Sequence, residues 1–130
     1  MEQRPLGYTT LEESRKLLSL EVPPALSDYF YDTSKETEIL VPRKPTREEE
    51  DNGNIVPCWS LGMLIEILPK IIWLNEIHKE LEIGHEKNCY EVYYISGFAA
   101  THICRSKYLI EAVIELLIWV IENNIQTEKC

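Results

Sequence analysis

The chain has 130 residues, of which 45% are hydrophobic and 27% charged, with 13 Lys and Arg against 22 Asp and Glu for a formal net charge of −9. Folding at this size buries roughly two-thirds of the surface that an unfolded chain exposes, enough for a real core, so one soluble domain over residues 1–130 is expected. The acidic balance argues against direct nucleic-acid binding and against polybasic membrane attachment, because both draw on Lys and Arg.

The start, Met1-Glu2-Gln3-Arg4, has no apolar run behind it, so no secretory leader and a cytoplasmic location are expected. Thr10-Leu11-Glu12-Glu13 has the form of a capping box and predicts a helix with Leu11, Leu17, Leu18 and Leu20, ended by Pro23-Pro24. Leu26, Tyr29 and Phe30 have helical spacing and predict a short helix or aromatic turn over 25–31. Glu38-Ile39-Leu40-Val41 reads as a short strand stopped by Pro42. Residues 43–54 shift to Pro, Lys, Arg, Glu, Asp and Gly, the composition of a solvated loop, and Glu48-Glu49-Glu50-Asp51 within it is a solvated acidic run.

Ser60 is a natural N-cap for a helix ending at Pro69, with Leu61, Leu64, Ile65 and Leu68 as its buried stripe; Gly62 inside it suggests close packing, or else simple tolerance. From 71 to 95 the period falls toward two. Ile77, Lys79, Leu81 and Ile83 alternate with acids and His78, a polar turn is expected at 84–88, and Tyr90, Val92 and Tyr94 continue the pattern in an antiparallel hairpin. Thr101-His102-Ile103-Cys104 is readable as a third strand or as an irregular approach to the last helix. Ser106 is expected to cap a helix over 107–123 with a wide apolar stripe. The segment 108–121 contains Glu111 and Glu115 and is shorter than the roughly 20 residues of a spanning helix, so no membrane anchor is expected.

Cys58, Cys89, Cys104 and Cys130 match neither a zinc-ribbon spacing nor a disulfide scaffold, so reduced thiols are expected, with Cys130 exposed. A nucleophilic pairing of Cys58, Cys89 or Cys104 with His78, His85 or His102 finds no support in spacing. A metal set of His78, His85 and Cys89 across the hairpin is similarly weak beside plain surface histidines. Glu111 and Glu115 share a helical face, the geometry of a paired acid–base device and, more commonly, of a solvated stripe. No catalytic, cofactor-binding or metal-ligating residue is therefore assigned. The common nucleotide-binding, hydrolase and protease motifs do not occur in the sequence.

The last helix carries Ile110, Ile114, Ile118 and Trp119 outside its main stripe, which leaves few polar positions. A helix apolar nearly all round needs cover nearly all round. The expected interaction surface is therefore Trp73, Tyr93, Ile110, Ile114, Ile118 and Trp119, facing a protein partner or a second copy.

Three segments, Pro57-Cys58-Trp59-Ser60-Leu61-Gly62 with the helix after it, Tyr90-Glu91-Val92-Tyr93-Tyr94, and 112–122 with Leu116 and Trp119, resemble small uncharacterised proteins encoded by bacteriophages and mobile elements of anaerobic gut bacteria. The similarity covers residues 55–123 and implies a bacterial cytoplasm and a mobile-element origin, with no catalytic residue or cofactor to carry over.

The expected fold is α+β, a small mostly antiparallel sheet packed against a long C-terminal helix and short N-terminal helices. The leading functional expectation is a non-enzymatic accessory or interaction protein of a phage or mobile element. Two others stand beside it: an acidic DNA mimic that inhibits a DNA-binding protein, and a ligand or enzymatic pocket lined by Trp and Tyr where Trp59, Trp73 and the hairpin tyrosines meet.

Overall fold

A computed structural model describes residues 4–127 of the chain. Cys130, expected to be exposed, lies outside the described residues. The fold is α+β with two antiparallel sheets, and the chain divides into two compact units with the boundary between Leu64 and Ile65, inside one short helix.

The first unit opens with the capping box read from sequence. The Thr10 hydroxyl accepts from the Glu13 amide at 3.1 Å, the Glu13 carboxylate accepts from the Thr10 amide at 2.9 Å, and the Arg4 guanidinium pairs with Glu13. Helix α1 (Leu11–Ser19) stops short of the prolines, because Glu21 takes a left-handed conformation at φ 67° and the Val22 amide reaches back to the Leu17 carbonyl at 3.1 Å. Residues 25–31 are not a helix. A 3₁₀ turn at Pro24–Leu26 is followed by β1 (Tyr29–Asp32), since Tyr29, Phe30 and Tyr31 are claimed by strands on both sides.

Strand β2 (Ile39–Val41) forms where a strand was expected, and it pairs with β1, Phe30 opposite Val41. The solvated loop at 43–54 contains a helix, α2 (Arg47–Asn52), opened by a second capping box between Thr46 and Glu49 and closed at Gly53 with φ 73°. Strand β3 (Ile55–Cys58) completes the order β2-β1-β3; its Pro57 is tolerated because β3 is an edge strand. Leu17, Phe30, Cys58, Trp59 and Leu64 are buried in this unit. Thr9 ties several of them together: its carbonyl accepts from Tyr31 Oη at 2.7 Å and from Cys58 Sγ at 3.4 Å, and its hydroxyl accepts from the Trp59 amide at 3.2 Å.

Helix α3 (Leu61–Ile67) is capped by Ser60, whose Oγ accepts from the Met63 amide at 3.2 Å. Gly62 is exposed, and a Cβ there would meet only Ser60 Oγ at 4.0 Å, so close packing does not explain it.

The second unit is a five-stranded antiparallel sheet in the order β7-β6-β5-β4-β8. Strand β4 (Ile71–Leu74) turns into β5 (Ile77–Glu86) through Asn75 and Glu76, both left-handed, so the part of the alternating stretch before the expected polar turn is two strands. The next turn contracts to Lys87-Asn88. Gly84, expected in that turn, instead pairs with Glu91 inside the ladder between β5 and β6 (Cys89–Ser96). Residues 101–104 are strand, part of β7 (Ala99–Ser106), and β8 (Gln126–Thr127) adds a short edge beside β4. Of the face expected to be buried along β5, Lys79 is buried and Leu81 half-buried, but Ile77 and Ile83 are exposed.

Helix α4 spans Leu109–Glu122, 14 residues, shorter than the expected 107–123. Ser106 sits before it, its Oγ accepting from the Tyr108 amide at 3.1 Å and donating to Glu111 at 3.0 Å. The helix packs on β6 and β7. Ile110, Ala112, Val113, Ile114, Leu116, Leu117 and Val120 are all buried. The surplus apolar flank expected for this helix is therefore largely covered by the chain itself, and Ile110 and Ile114 are buried. Among the described residues no helix is long and apolar enough to cross a membrane.

Candidate functional site

Strand alternation assigns the two faces of the five-stranded sheet. Ile72, Lys79, Leu81, Tyr94, Val92 and Cys104 share one face through their cross-strand pairs, and this is the face α4 covers. Ile71, Trp73, His78, Glu80, Glu82, Glu91, Tyr93, Ile95 and Arg105 fall on the other.

That outer face has a patterned chemistry. Glu80 stands between Ile71 and Ile95, Glu82 lies opposite Tyr93, and Trp73 lies opposite His78 with ring centroids 5.5 Å apart. Trp73, Tyr93, Ile71 and Ile95 are half-buried, while Glu80 and Glu82 are exposed. Glu91 alone of these carboxylates faces a cation across the ladder, Arg105 at 3.4 Å. Trp73 also borders an open cavity of about 370 Å³ with Asn75, Glu76 and Gln126. The arrangement is a set of aromatic and aliphatic side chains fenced by carboxylates, able to take apolar groups that carry positive charge beside them.

The six residues expected to form one interaction surface do not meet. Trp73 and Tyr93 lie on the outer sheet face, Ile110 and Ile114 are buried, and Ile118 and Trp119 are half-buried on α4, across the sheet from the first pair. The Trp and Tyr pocket is not assembled from its named parts either. Trp59 is fully buried, and the hairpin tyrosines diverge: Tyr90 packs on His85 at 4.6 Å between ring centroids, Tyr93 points outward, and buried Tyr94 donates from Oη to the Pro69 carbonyl at 2.7 Å.

His78 and His85 are seven residues apart along β5, about 23 Å at the rise of a strand, and on opposite faces, so they do not converge with Cys89. Cys58 is held by Thr9, and burial raises its thiol pKa. Sequence reasoning did miss one grouping. His102 and Cys104 on β7 and Glu115 on α4 bring a ring nitrogen, a sulfur and a carboxylate oxygen within 4.8 Å of one another. Burial, with the Glu115 charge adding to it, pushes the Cys104 thiol up to about 12. The signal that would have found this group is the pairing of a His-x-Cys strand with a Glu on the next helix, visible only once the strand and its bulge are known.

No protein-family model, curated protein or solved structure matches the chain.

Proposed function

We propose that this chain is an accessory protein that acts by binding a protein partner, and that the outer face of the five-stranded sheet is its docking surface. One observation carries the reading: Trp73 and Tyr93, with Ile71 and Ile95, lie half-buried among Glu80, Glu82 and Glu91. Aromatic anchors of this kind supply most of the energy of protein interfaces, and surrounding charges set orientation and rate of encounter. The partner is accordingly one with basic side chains around an apolar centre. A cytoplasmic site of action and a role in a phage or mobile element belong to the same proposal; the latter rests on the resemblance of residues 55–123.

An acidic mimic of nucleic acid is the weaker reading, because the apolar rings lie between the carboxylates and Glu91 is matched by Arg105. The test is quantitative co-purification with the tagged full chain and with a Trp73→Ser, Tyr93→Ser double variant. A partner retained by the native chain and reduced at least tenfold by the variant supports the reading. Equal recovery by both chains contradicts it.

A further inference from the structure

We propose that His102, Cys104 and Glu115 bind a single divalent transition-metal ion of the zinc class, which clamps the edge strand β7 to helix α4. The donors are a nitrogen, a sulfur and an oxygen, the mixture that zinc and cobalt accept and that magnesium and calcium, which prefer oxygen alone, do not. They come from two elements in contact, and their ligand atoms already lie within 4.8 Å of one another. Tetrahedral coordination at the usual bond lengths asks for ligand separations of about 3.3–3.8 Å, so closing the site needs a side-chain adjustment of about 1 Å.

The backbone is bent to make this grouping. Between the pairs Val92–Cys104 and Tyr94–Thr101 the register of β6 and β7 shifts, leaving His102 and Ile103 opposite Tyr93 alone. His102 takes a left-handed conformation at φ 49° inside the strand, which costs a non-glycine residue about 1 kcal/mol or more. The bulge turns its imidazole toward α4, where it stacks on Trp119 with ring centroids 4.5 Å apart and planes 8° apart. Without the bulge, ordinary alternation from Thr101 would send the ring to the outer face. Backbone strain of this kind is found at functional sites, and here it falls on a residue type that ligates metals.

His102 and Glu115 are exposed and Cys104 is buried, so the ion enters from solvent and keeps a fourth position for water. On binding, the Cys104 thiol gives its proton to solvent and coordinates as thiolate, with the imidazole and the carboxylate as the nitrogen and oxygen donors. No electron is transferred.

The experiment uses the full chain, stripped with chelator and titrated with cobalt(II) chloride alone, then with zinc(II) chloride in competition. The expected result is one equivalent of cobalt with tetrahedral ligand-field bands and a thiolate-to-cobalt charge-transfer band, displaced by zinc. Cys104→Ser abolishes the charge-transfer band, and Cys89→Ser leaves it intact. The exposed Glu115→Gln and His102→Gln, which do not open the core, weaken binding at least tenfold. Absence of the charge-transfer band in the native chain overturns the proposal, as does its persistence in Cys104→Ser or native affinity in both exposed variants. The partner-binding reading is read out by co-purification and stands or falls separately.

Discussion

Asp28 holds Ser60 by both carboxylate oxygens: Oδ1 accepts from the Ser60 amide at 2.8 Å and Oδ2 accepts from the Ser60 hydroxyl, which in turn accepts from the Met63 amide at 3.2 Å. A loop carboxylate thus fixes the cap that starts α3. Asp28→Ala removes both acceptors and leaves the Ser60 amide unpaired, and the expected loss is about 1–3 kcal/mol in denaturant-induced unfolding. Asp28→Asn, which keeps one acceptor, loses less. A change under about 0.5 kcal/mol for the alanine variant would mean that water replaces the carboxylate fully.

Glu49 provides a local pH signature. The Arg43 guanidinium, at 2.8 and 3.1 Å, and the Thr46 amide hold its carboxyl down to about 2 from an ordinary value of 4.5. The depressed value means that the support these contacts lend to α2 is complete above pH 4.5 and fades as pH falls toward 2. Glu49 is solvent-exposed, so the effect is local. Amide hydrogen exchange over 49–52 should accelerate in that window beyond its intrinsic pH dependence, and Arg43→Ala should move the onset to higher pH. Exchange that ignores the substitution would separate Arg43 from the cap.

Much of the fold was legible where local chemistry decides it. Thr10 with Glu13, Ser60 before α3, and the apolar stripe of α4 each carry their signal within a few residues. Long-range pairing was not legible in the same way. Tyr29, Phe30 and Tyr31 have spacing compatible with a helix and become strand because β2 and β3, distant in sequence, supply partners. Pro57 masked β3, since only its edge position makes a proline acceptable there. Thr46 and Glu49 repeat the capping box of α1, but the acidic run after them resembled a solvated loop.

Of the residues expected on an interaction surface, Trp73 and Tyr93 lie on the outer sheet face, whereas Ile110 and Ile114 are buried, because a helix's hydrophobic width reveals that it needs cover and not what supplies it. The His102, Cys104 and Glu115 grouping depends on a bulge and a left-handed histidine, neither of which composition announces.

Tyr94 links packing to alkaline stability. It is fully buried, its Oη donates to the Pro69 carbonyl at 2.7 Å, and burial raises its pKa far above the ordinary 10.0. Burial raises Tyr31 in the same direction, with nearby Cys58 adding to it. The folded chain keeps both phenols neutral while the unfolded chain ionises near pH 10, so stability is unaffected below that pH and falls above it. An ultraviolet titration should find Tyr31 and Tyr94 in a late group that ionises only as the chain unfolds. Tyr94→Phe should cost about 1–2 kcal/mol by stranding the Pro69 carbonyl and make the late group smaller by one tyrosine. Full ionisation of every tyrosine in the folded state would contradict the burial argument.

The most direct test of the docking face places a photo-activated cross-linking residue at position 93, and separately at Glu36, an exposed position in the other unit, in the full chain expressed in bacterial cytoplasm with its neighbouring genes. The expected result is a discrete protein adduct from position 93 that is absent from position 36 and diminished by Trp73→Ser. Adducts that are the same from both positions, or none from position 93, would contradict the proposal that the outer face of the sheet is a docking surface.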